Sequence, residues 1–359
     1  MAGAVFAAIG HQQDWSSISA MVNGFRQRER AGARCLSHNE IAALVDFLPP
    51  RVVSRFRVGG AASGQAIEAV CIETFIRPEE LVGRPSSDVL DKVKHAIEVA
   101  GREGVRIATL GGFTSILIEA GMKIPEGSPA LTSGNTLTAA LIIRGIERAL
   151  ALLGRSLADE TVLVIGASGD IGSGVSRWLA GRTRTLTLAA RNLARLEREQ
   201  AALRPKGDVR IATDVEASLG EDTVVVAVAS TTDRPFTLER CRPGTLLCDA
   251  GYPKNLEDRI PPGVRLFYGG MGHIAGGLES HDGLLERFYR FPQPNVAHGC
   301  MLEGAALAHA GRYESYSQGR GRITPERIEE IQALAEAHGI LPASLFNAAG
   351  LWAEERAYI

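Results

Sequence analysis

The sequence predicts an α/β protein built around a doubly wound parallel sheet, and three observations support this prediction. An apolar run, Thr161 to Ile165, ends at a glycine, and further glycines follow at positions 169 and 172. Five more short apolar runs follow before Tyr268, each of the kind expected for a strand covered on both faces. Helical patterns or polar connectors separate the runs, and the clearest helix spans Leu193 to Leu203. Six strands with intervening helices make a complete doubly wound sheet.

The glycines of the first turn indicate a Rossmann-type dinucleotide site. Gly166 lets the chain turn, Gly169 lets backbone N–H groups approach a pyrophosphate, and Gly172 lets the helix pack on the strand. The helix that follows would aim its positive end at the phosphates. A tight turn also needs glycine for steric reasons alone, and this simpler explanation stays open. The predicted cofactor-binding residues are Gly166, Ser168, Gly169, Asp170, Ile171, Gly172, Arg191, Asn192, Ala229, Ser230 and Gly251.

Arg191 indicates which dinucleotide binds. A site that prefers NADH carries Asp or Glu near the end of the second strand, where the carboxylate holds the ribose hydroxyls. Here the second strand ends at Ala190, and Arg191 follows it directly. Because a guanidinium suits a 2′-phosphate, we expect NADPH as the cofactor. The alternative is that Arg191 only begins a solvated helix.

Composition and charge exclude several classes of protein. The chain has 359 residues, enough for two or three domains with cores of their own. Its formal net charge of −2 gives no overall attraction to nucleic acid or to an acidic membrane surface. The apolar start lacks the basic residues of a signal peptide, and no apolar run is long enough to span a membrane. Five widely spaced cysteines favour free thiols in a reducing cytoplasm and show no metal-binding spacing.

The first 150 residues predict a separate α/β domain. Its expected strands are Val5 to Gly10, Arg51 to Val58, Ala66 to Phe75 and Val105 to Leu110. Its expected helices are Trp15 to Arg28, Asn39 to Phe47 and Asp88 to Arg102, the last with apolar residues at helical spacing. A long apolar helix then runs to about Leu153, and we expect Ser133 or Asn135 to cap it.

Two polar segments of this domain are candidate substrate contacts. Gly-Gly-Phe-Thr-Ser, which ends at Ser115, follows a strand, and Thr-Ser-Gly-Asn-Thr, which contains Asn135, opens a helix. Open α/β sheets bind ligands at the carboxyl ends of their strands. A turn and a cap explain either segment alone. Together the two segments predict a polar rim on an apolar substrate cavity.

The last segment contains the candidate nucleophile, Cys300. An apolar helix rich in small residues begins near this cysteine. Positive potential at a helix start lowers the pKa of a thiol, and a thiolate there can attack a thioester carbonyl. The simpler alternative is a buried, inert cysteine. Another helix starts at Thr324-Pro325 and ends at Gly339, and we expect the tail from Leu341 to about Ala348 to be helical.

Five motifs, taken in order, resemble one known family. They are Leu110-Gly-Gly-Phe-Thr-Ser-Ile116, Thr132-Ser-Gly-Asn-Thr136, Gly166-Ala-Ser-Gly-Asp-Ile-Gly-Ser173, Asp249-Ala-Gly-Tyr-Pro-Lys-Asn255 and the helix at Cys300. The chain thereby resembles the long-chain fatty acyl-[acyl-carrier-protein] reductases of cyanobacteria over almost its whole length, including Ile9-Gly10-His11 near the start. It differs from the family pattern at His298, to which no base role is carried over, and between Gly269 and Leu285.

The resemblance implies a fold and a reaction. It implies an N-terminal α/β acyl-substrate domain over 1–150, an NADPH-binding Rossmann domain over 151–290, and a small helical C-terminal unit over 291–359. It implies that a fatty acyl thioester is reduced by NADPH to the free aldehyde while Cys300 holds the acyl group. Ser115 and Asn135 are then candidates to stabilise the oxyanion.

The resemblance also implies partners. We expect a fatty acyl thioester as substrate, delivered by an acyl carrier protein, with coenzyme A as the alternative carrier. Basic residues that can contact an acidic carrier protein are Arg26, Arg28, Arg30, Arg51 and Arg55. A plain solvated surface explains the same cluster.

Two other functional classes stay open at the level of sequence. One is an NADP-dependent alcohol or ketone dehydrogenase, but the short-chain type needs a Tyr-x-x-x-Lys pair, and Tyr252 and Lys254 lie only two apart. The other is a non-enzymatic NADP-sensing protein, which would keep the three glycines and need no cysteine. Substitution of Cys300 separates both classes from the reductase.

Overall fold

The computed structural model describes residues 3–60, 65–81, 86–115, 123–229, 236–257, 259–285, 290–319 and 321–358. They form a mixed α/β structure with two six-stranded sheets, one three-stranded sheet and one two-stranded sheet. Two residues of the predicted motifs and sites, Ile116 and Ser230, lie outside the described residues.

The first large sheet comes mainly from the N-terminal part of the chain. Its strands, numbered in chain order across the whole molecule, are β1 (Phe6–Gly10), β2 (Arg51–Val58), β3 (Ile67–Glu73), β4 (Ile107–Leu110), β5 (Ala130–Thr132) and β13 (Leu278–Ser280). Their order across the sheet is β13-β2-β3-β1-β4-β5. β3, β1, β4 and β5 run parallel, and β2 runs antiparallel to both of its neighbours. The carboxyl ends of β1 and β4 therefore meet at one edge, where the first polar segment begins.

Three helices accompany this sheet close to their predicted positions: α1 (Trp15–Glu29), α2 (His38–Leu44) and α3 (Ser87–Arg102). Local capping explains where they start, because Asp14 accepts the Ser17 N–H at 2.8 Å and Ser37 forms a capping box with Glu40. The apolar face of α3 is buried, as its helical spacing predicts.

The second large sheet is the predicted doubly wound parallel sheet. Its strands are β6 (Thr161–Ile165), β7 (Thr185–Ala189), β8 (Val209–Ala212), β9 (Val224–Ala227), β10 (Leu246–Asp249) and β11 (Arg265–Tyr268). All neighbours are parallel, and the order β11-β10-β9-β6-β7-β8 is that of a Rossmann fold. The helices between the strands are α5 (Asp170–Leu179), α6 (Leu193–Leu203) and α7 (Val215–Ser218). β6 and β9 lie side by side at the centre, where the strand order reverses and such folds bind their ligands.

Among its described residues, the C-terminal part contains two α-helices and several short strands. The helices are α8 (Gly299–His309) and α9 (Pro325–Ala337). The strands are β12 (Met271–Ile274), β14 (Val296–His298), β15 (Ile340–Pro342), β16 (Phe346–Asn347) and β17 (Gly350–Leu351). β12 pairs antiparallel with β14 and β15, and β14 leads directly into α8. This small antiparallel sheet fixes the start of the helix that carries Cys300.

One long helix, α4 (Asn135–Leu152), packs against both the Rossmann part and the C-terminal part of the molecule. It contacts α5 of the Rossmann sheet and α8 and α9 of the C-terminal part. Its apolar residues are buried on several sides, which explains why its sequence is apolar almost throughout. At Gly145 a Cβ would lie 2.8 Å from the Phe267 ring, so the helix also lies tightly on the end of the Rossmann sheet.

Two local predictions are wrong. The tail after Leu341 is not helical, because Gly339 ends α9 with a φ of 79°, Pro342 has no N–H to donate within a helix, and β15 pairs with β12 instead. Neither Ser133 nor Asn135 caps α4, whose N-cap is Gly134 with no side-chain hydrogen bond.

The predicted division into 1–150, 151–290 and 291–359 stays a prediction. β13 lies within the middle range but adds to the first sheet by pairing with β2. Within the ranges that the structure describes, no helix is long and apolar enough to span a membrane.

Candidate active site

Cys300 lies in the first turn of α8, between the two polar segments. A Cβ on Gly111 would lie 3.8 Å from Cys300 Sγ, and the Gly112 N–H donates toward the sulfur. On the other side, a Cβ on Gly134 would come within 2.2 Å of the Cys300 carbonyl oxygen. Gly134 also has a φ of 71°, a backbone conformation that residues other than glycine rarely adopt. The structure therefore brings both polar segments to the candidate nucleophile.

The electrostatics of the thiol differ from the expectation. Burial raises the pKa of Cys300 above its ordinary value, and this effect outweighs all others. The backbone N–H groups of Gly112, Met301 and Cys300 itself lower the pKa, as a helix start should. The prediction of a thiol with a low pKa is therefore wrong, and the thiolate must form against the cost of burial.

His11 fixes the loop that lies against the sulfur. Its ring is buried, and its Nε2 accepts a hydrogen bond from the Phe113 N–H at 3.0 Å. Burial lowers the pKa of His11 to about 4, so the ring is neutral at pH 7. Gly112 has a φ of 58°, and a Cβ there would lie 2.8 Å from His11 Nε2. Ser115 closes the loop by donating from Oγ to the Gly112 carbonyl oxygen at 2.9 Å.

Two buried side chains hold the second polar segment in place. Glu303 of α8 is fully buried and accepts hydrogen bonds from the Thr132 hydroxyl, the Leu137 N–H and the Ser317 hydroxyl. Ser317 Oγ in turn accepts the Thr136 N–H at 3.2 Å. Burial raises the pKa of Glu303, while these donors favour its charged form. These distant residues thus cap the start of α4, which explains why its own side chains do not.

Asn135 connects this segment to the dinucleotide turn. Its Nδ2 donates to Asp170 Oδ2 at 2.9 Å, and both residues are buried. Asp170 is the first residue of α5. Because Gly134 packs on Cys300, one short turn contacts both the candidate nucleophile and the start of the Rossmann helix.

The dinucleotide turn has the backbone that a pyrophosphate needs. Gly166 turns the chain with a φ of 89°, and Gly169 is the N-cap of α5. A Cβ on Gly172 would lie 2.3 Å from the Gly166 carbonyl oxygen, so close packing requires glycine there. Ser168 and Ile171 are partly buried beside them. Because the first N–H groups of a helix have no acceptor within it, the residues present fit the phosphates of a dinucleotide.

Arg191 and Asn192 lie beyond the end of β7, at the carboxyl edge of the Rossmann sheet. Both are exposed. Asn192 caps α6, since its Oδ1 accepts the Arg195 N–H at 3.1 Å. The capping role gives Asn192 a structural reason to be there, whether or not it contacts a cofactor.

A loop after β10 lies at the same carboxyl edge of the Rossmann sheet, on the far side of β9 from the dinucleotide turn. Asp249 is buried and accepts the N–H groups of Gly251, Asn255 and Leu256 at 2.9 Å each. The Asn255 side chain exchanges two hydrogen bonds with the backbone of Ala229, at 2.8 and 3.0 Å. Ala229 and Gly251, both predicted to bind the cofactor, therefore belong to one rigid backbone frame.

Several residues of this site were not predicted. Asn255 and His11 lie in motifs of the family resemblance, but nothing in their spacing indicates their contacts. Glu303 could have been found from the sequence, because it is a single carboxylate within an apolar helix. A carboxylate is buried only where hydrogen-bond or ion-pair partners surround it. Ser317 lies in a polar loop and could not have been found in this way.

The chain is similar to curated proteins of two kinds. It is 34% identical over 312 residues to the long-chain acyl-[acyl-carrier-protein] reductase of Synechococcus elongatus, covering 83% of this chain and 89% of that protein. It is 26% identical over 290 residues to aminotransferase PigE of a Serratia species, covering 78% of this chain but only 33% of that protein. No protein-family model matches the chain.

Solved structures give weaker likenesses. The A chain of dipicolinate synthase from Bacillus subtilis aligns over 93% of this chain and 98% of its own, with 13% identity and a TM-score of 0.36. The nucleotide-binding domain of glutamyl-tRNA reductase from Thermoplasma volcanium covers 36% of this chain and 84% of its own, with 16% identity and a TM-score of 0.27. The assignment of a family therefore depends on the Synechococcus protein. With 34% identity over most of both chains, this protein belongs to the long-chain acyl-[acyl-carrier-protein] reductase family of oxidoreductases.

Proposed function

We propose that this chain reduces a fatty acyl thioester to the free aldehyde, with NADPH as reductant and Cys300 as the covalent carrier of the acyl group. The observation that carries the proposal is the turn at Gly134 and Asn135. It packs on the Cys300 backbone on one side and hydrogen-bonds to Asp170 of the dinucleotide turn on the other. A thioester reductase needs its nucleophile and its cofactor site held together in this way.

Cys300 performs the first step. Its thiolate attacks the thioester carbonyl, a new C–S bond forms, the old C–S bond breaks, and the thiol of the carrier leaves with the proton that Cys300 has lost. Burial opposes formation of the thiolate, and the N–H groups of Gly112 and Met301 favour it. The acyl group then stays on Cys300 as a thioester.

Ser115 and Asn135 are the proposed donors to the oxyanion. The Asn135 amide has two N–H groups, and the hydrogen bond to Asp170 uses one of them and fixes the amide plane. The Ser115 hydroxyl donates to the Gly112 carbonyl oxygen and would rotate to reach an acyl carbonyl. Loss of such a donor typically lowers turnover about a hundred- to a thousand-fold.

The cofactor would be held by residues of the Rossmann sheet. Gly166, Gly169 and the first N–H groups of α5 would hold the pyrophosphate, and Arg191 would hold the 2′-phosphate that distinguishes NADPH. The backbone frame at Ala229 and Gly251 would border the dinucleotide at the ends of β9 and β10. When bound, NADPH supplies the hydride that converts the acyl group to an aldehyde.

The three predicted domains have separate roles in this proposal. Residues 1–150 hold the acyl substrate, 151–290 hold NADPH, and 291–359 carry the nucleophile. An acyl carrier protein would deliver the substrate to the edge of the first sheet where β1 and β4 end.

The arginines proposed to contact the carrier divide into two groups. Arg28 forms an ion pair with Asp282, and Arg55 forms one with Glu103. Arg51 lies next to Glu73 in the β2–β3 register, at the carboxyl edge of the sheet, and its guanidinium lies 4.8 Å from the centre of the Phe25 ring. We therefore place the carrier contact at Arg51 and at the exposed residues Arg26 and Arg30.

The test is aldehyde formation by the purified full-length chain from a long-chain acyl-[acyl-carrier-protein] and NADPH, measured by gas chromatography. Cys300→Ala is expected to bind NADPH, to keep its unfolding temperature and to form no aldehyde. Cys35→Ala, which removes an exposed thiol, is the matched control and is expected to keep wild-type activity. Aldehyde formation by Cys300→Ala near the wild-type rate would show that the covalent mechanism is wrong.

A further inference from the structure

Five aromatic rings form a continuous chain beside Cys300. Consecutive ring centres are 6.4, 6.1, 5.5 and 5.7 Å apart, each in an edge-to-face arrangement. From one end of this chain of rings to the other, the rings belong to Phe113, His11, Tyr252, His298 and Phe291. They come from the first polar segment, the residue directly after β1, the loop after β10, and β14 with the segment before it. The chain of rings thus joins the parts of the molecule that meet at the nucleophile.

This chain of rings is attached to the backbone around the sulfur at two points, Phe113 and His298. The Phe113 N–H donates to His11 Nε2, and the preceding residue, Gly112, donates its N–H toward Cys300. His298 is the N-cap residue of α8, two positions before Cys300. The ring of Tyr252 lies between the two histidines. We call the five rings together the aromatic wall.

The wall carries no charge at neutral pH. Burial lowers the pKa of His11 to about 4, and burial together with the ammonium group of Lys254 lowers the pKa of His298 to about 4. Neutral rings attract water less than charged ones do, so the uncharged wall holds water less strongly than charged histidines would. Tyr252 is its exposed member, with 43% of its surface accessible, while His11 is buried and the other three rings are partly buried. Tyr252 is therefore the ring of this wall that faces bulk water, and it lies close enough to Cys300 for a negative charge on the sulfur to raise the pKa of the Tyr252 hydroxyl.

We propose that Tyr252 shields the acyl thioester on Cys300 from water, so that the acyl group is reduced rather than hydrolysed. This inference depends on the proposed function, because it needs an acyl group on Cys300. In the competing reaction, the oxygen of water attacks the acyl carbonyl and the C–S bond breaks. The fatty acid leaves, and Cys300 Sγ recovers a proton. Exclusion of water from a closed site is a known means of suppressing such side reactions.

The experiment measures hydrolysis of the acyl-enzyme without NADPH. Wild type and variants are loaded with an acyl group from a long-chain acyl-[acyl-carrier-protein], the proposed donor, and freed of excess donor. Intact mass spectrometry then follows the loss of the acyl mass, and free fatty acid is measured in parallel. We expect the adduct on Tyr252→Ala and Tyr252→Ser to hydrolyse at least about ten-fold faster than on wild type, the change that a barrier lower by about 1.4 kcal/mol produces. Tyr252→Phe is expected to behave as wild type, because the ring and not the hydroxyl forms the wall.

The controls separate this inference from the function on which it depends. Phe47→Ala removes a ring that is 82% exposed at the end of a short 3₁₀ helix, and its adduct should be as stable as that of wild type. Unfolding temperatures of the Tyr252 variants check that the fold is kept. Equal hydrolysis rates for wild type, Tyr252→Ala and Tyr252→Ser, with the adduct formed on all three, would overturn the role of Tyr252 and leave the covalent function intact. If wild type forms no adduct, the covalent function is wrong and the shielding role is wrong with it.

Discussion

Gly134 packs so closely on Cys300 that a methyl group on Gly134 would lie 2.2 Å from the Cys300 carbonyl oxygen. The candidate nucleophile and the segment that reaches the dinucleotide turn are therefore packed so closely that neither can shift toward the other. Glu303 reinforces this contact, since it belongs to the helix of Cys300 and holds both Thr132 and the Leu137 N–H. In the proposed mechanism, the geometry of acyl transfer depends on this short stretch of backbone.

Gly134→Ala tests that dependence. The new methyl group must displace Cys300, and a misplacement of about 1 Å can cost roughly a hundred-fold in rate. We expect acylation of Cys300 to fall by about that factor, measured by mass spectrometry after mixing with acyl thioester. Gly127→Ala is the matched control, because Gly127 has a similar φ of 75° but no atom within 4 Å of the added Cβ. Equal losses in both variants would show that backbone strain, and not contact with Cys300, is responsible.

Arg191→Ala is expected to lose preference for NADPH over NADH. Arg191 lies just beyond the end of β7 and is exposed, and charge-assisted hydrogen bonds to a 2′-phosphate are worth roughly 1.5–3 kcal/mol. Titration of both cofactors by fluorescence measures the two dissociation constants. Arg195→Ala, in the first turn of α6, which begins just after Arg191, is the control. An unchanged preference in Arg191→Ala would mean that the residue is only part of the solvated surface.

The raised pKa of Cys300 predicts a pH dependence. Because the pKa in the folded protein lies above the ordinary value of 9.0, little thiolate exists at pH 7, and its fraction rises about ten-fold per pH unit. We expect the rate of Cys300 alkylation by iodoacetamide to rise through pH 9 without levelling off. Peptide mass spectrometry in a Cys35→Ala background separates Cys300 from the exposed thiol. A plateau near pH 7 would mean that the helix start outweighs burial.

The carrier contact predicts a difference between two acyl donors. Reversing the charges of Arg26, Arg30 and Arg51 together should raise KM for acyl-[acyl-carrier-protein] by roughly three- to a hundred-fold, given about 0.2–1 kcal/mol for each exposed ion pair. KM for acyl-coenzyme A and kcat should change little, because the charges lie outside the site. Arg55→Glu, at a position already paired with Glu103, is the control. If KM rises equally for both acyl donors, the three arginines do not form a docking surface for the carrier.

Local patterns in the sequence predict much of this fold. The six strands from Thr161 to Tyr268 are found where short apolar runs indicate them, since a buried parallel strand needs little more than such a run. The start of α9 at Thr324 follows from capping chemistry that is local in sequence, and Thr324 Oγ1 accepts the Arg327 N–H at 3.4 Å.

Contacts between distant residues were beyond sequence reasoning. Glu303 bonds to Thr132, 171 positions away, and only the packing of α8 on α4 and β5 brings them together. The same packing raises the thiol pKa, because burial depends on what covers Cys300 and not on its place in a helix. The tail after Gly339 forms strands because β12 offers an edge, which no local pattern shows.

The central claim is that Cys300 carries the acyl group, and intact mass spectrometry tests it most directly. Wild type mixed with a long-chain acyl thioester and no NADPH is expected to gain one acyl mass, located on the Cys300 peptide and removed by hydroxylamine. Addition of NADPH should then remove the same mass and release one equivalent of aldehyde. Cys300→Ala should gain no mass under the same conditions. Aldehyde formation by a wild-type enzyme that never gains the acyl mass, or an equal mass gain on Cys300→Ala, would contradict the account.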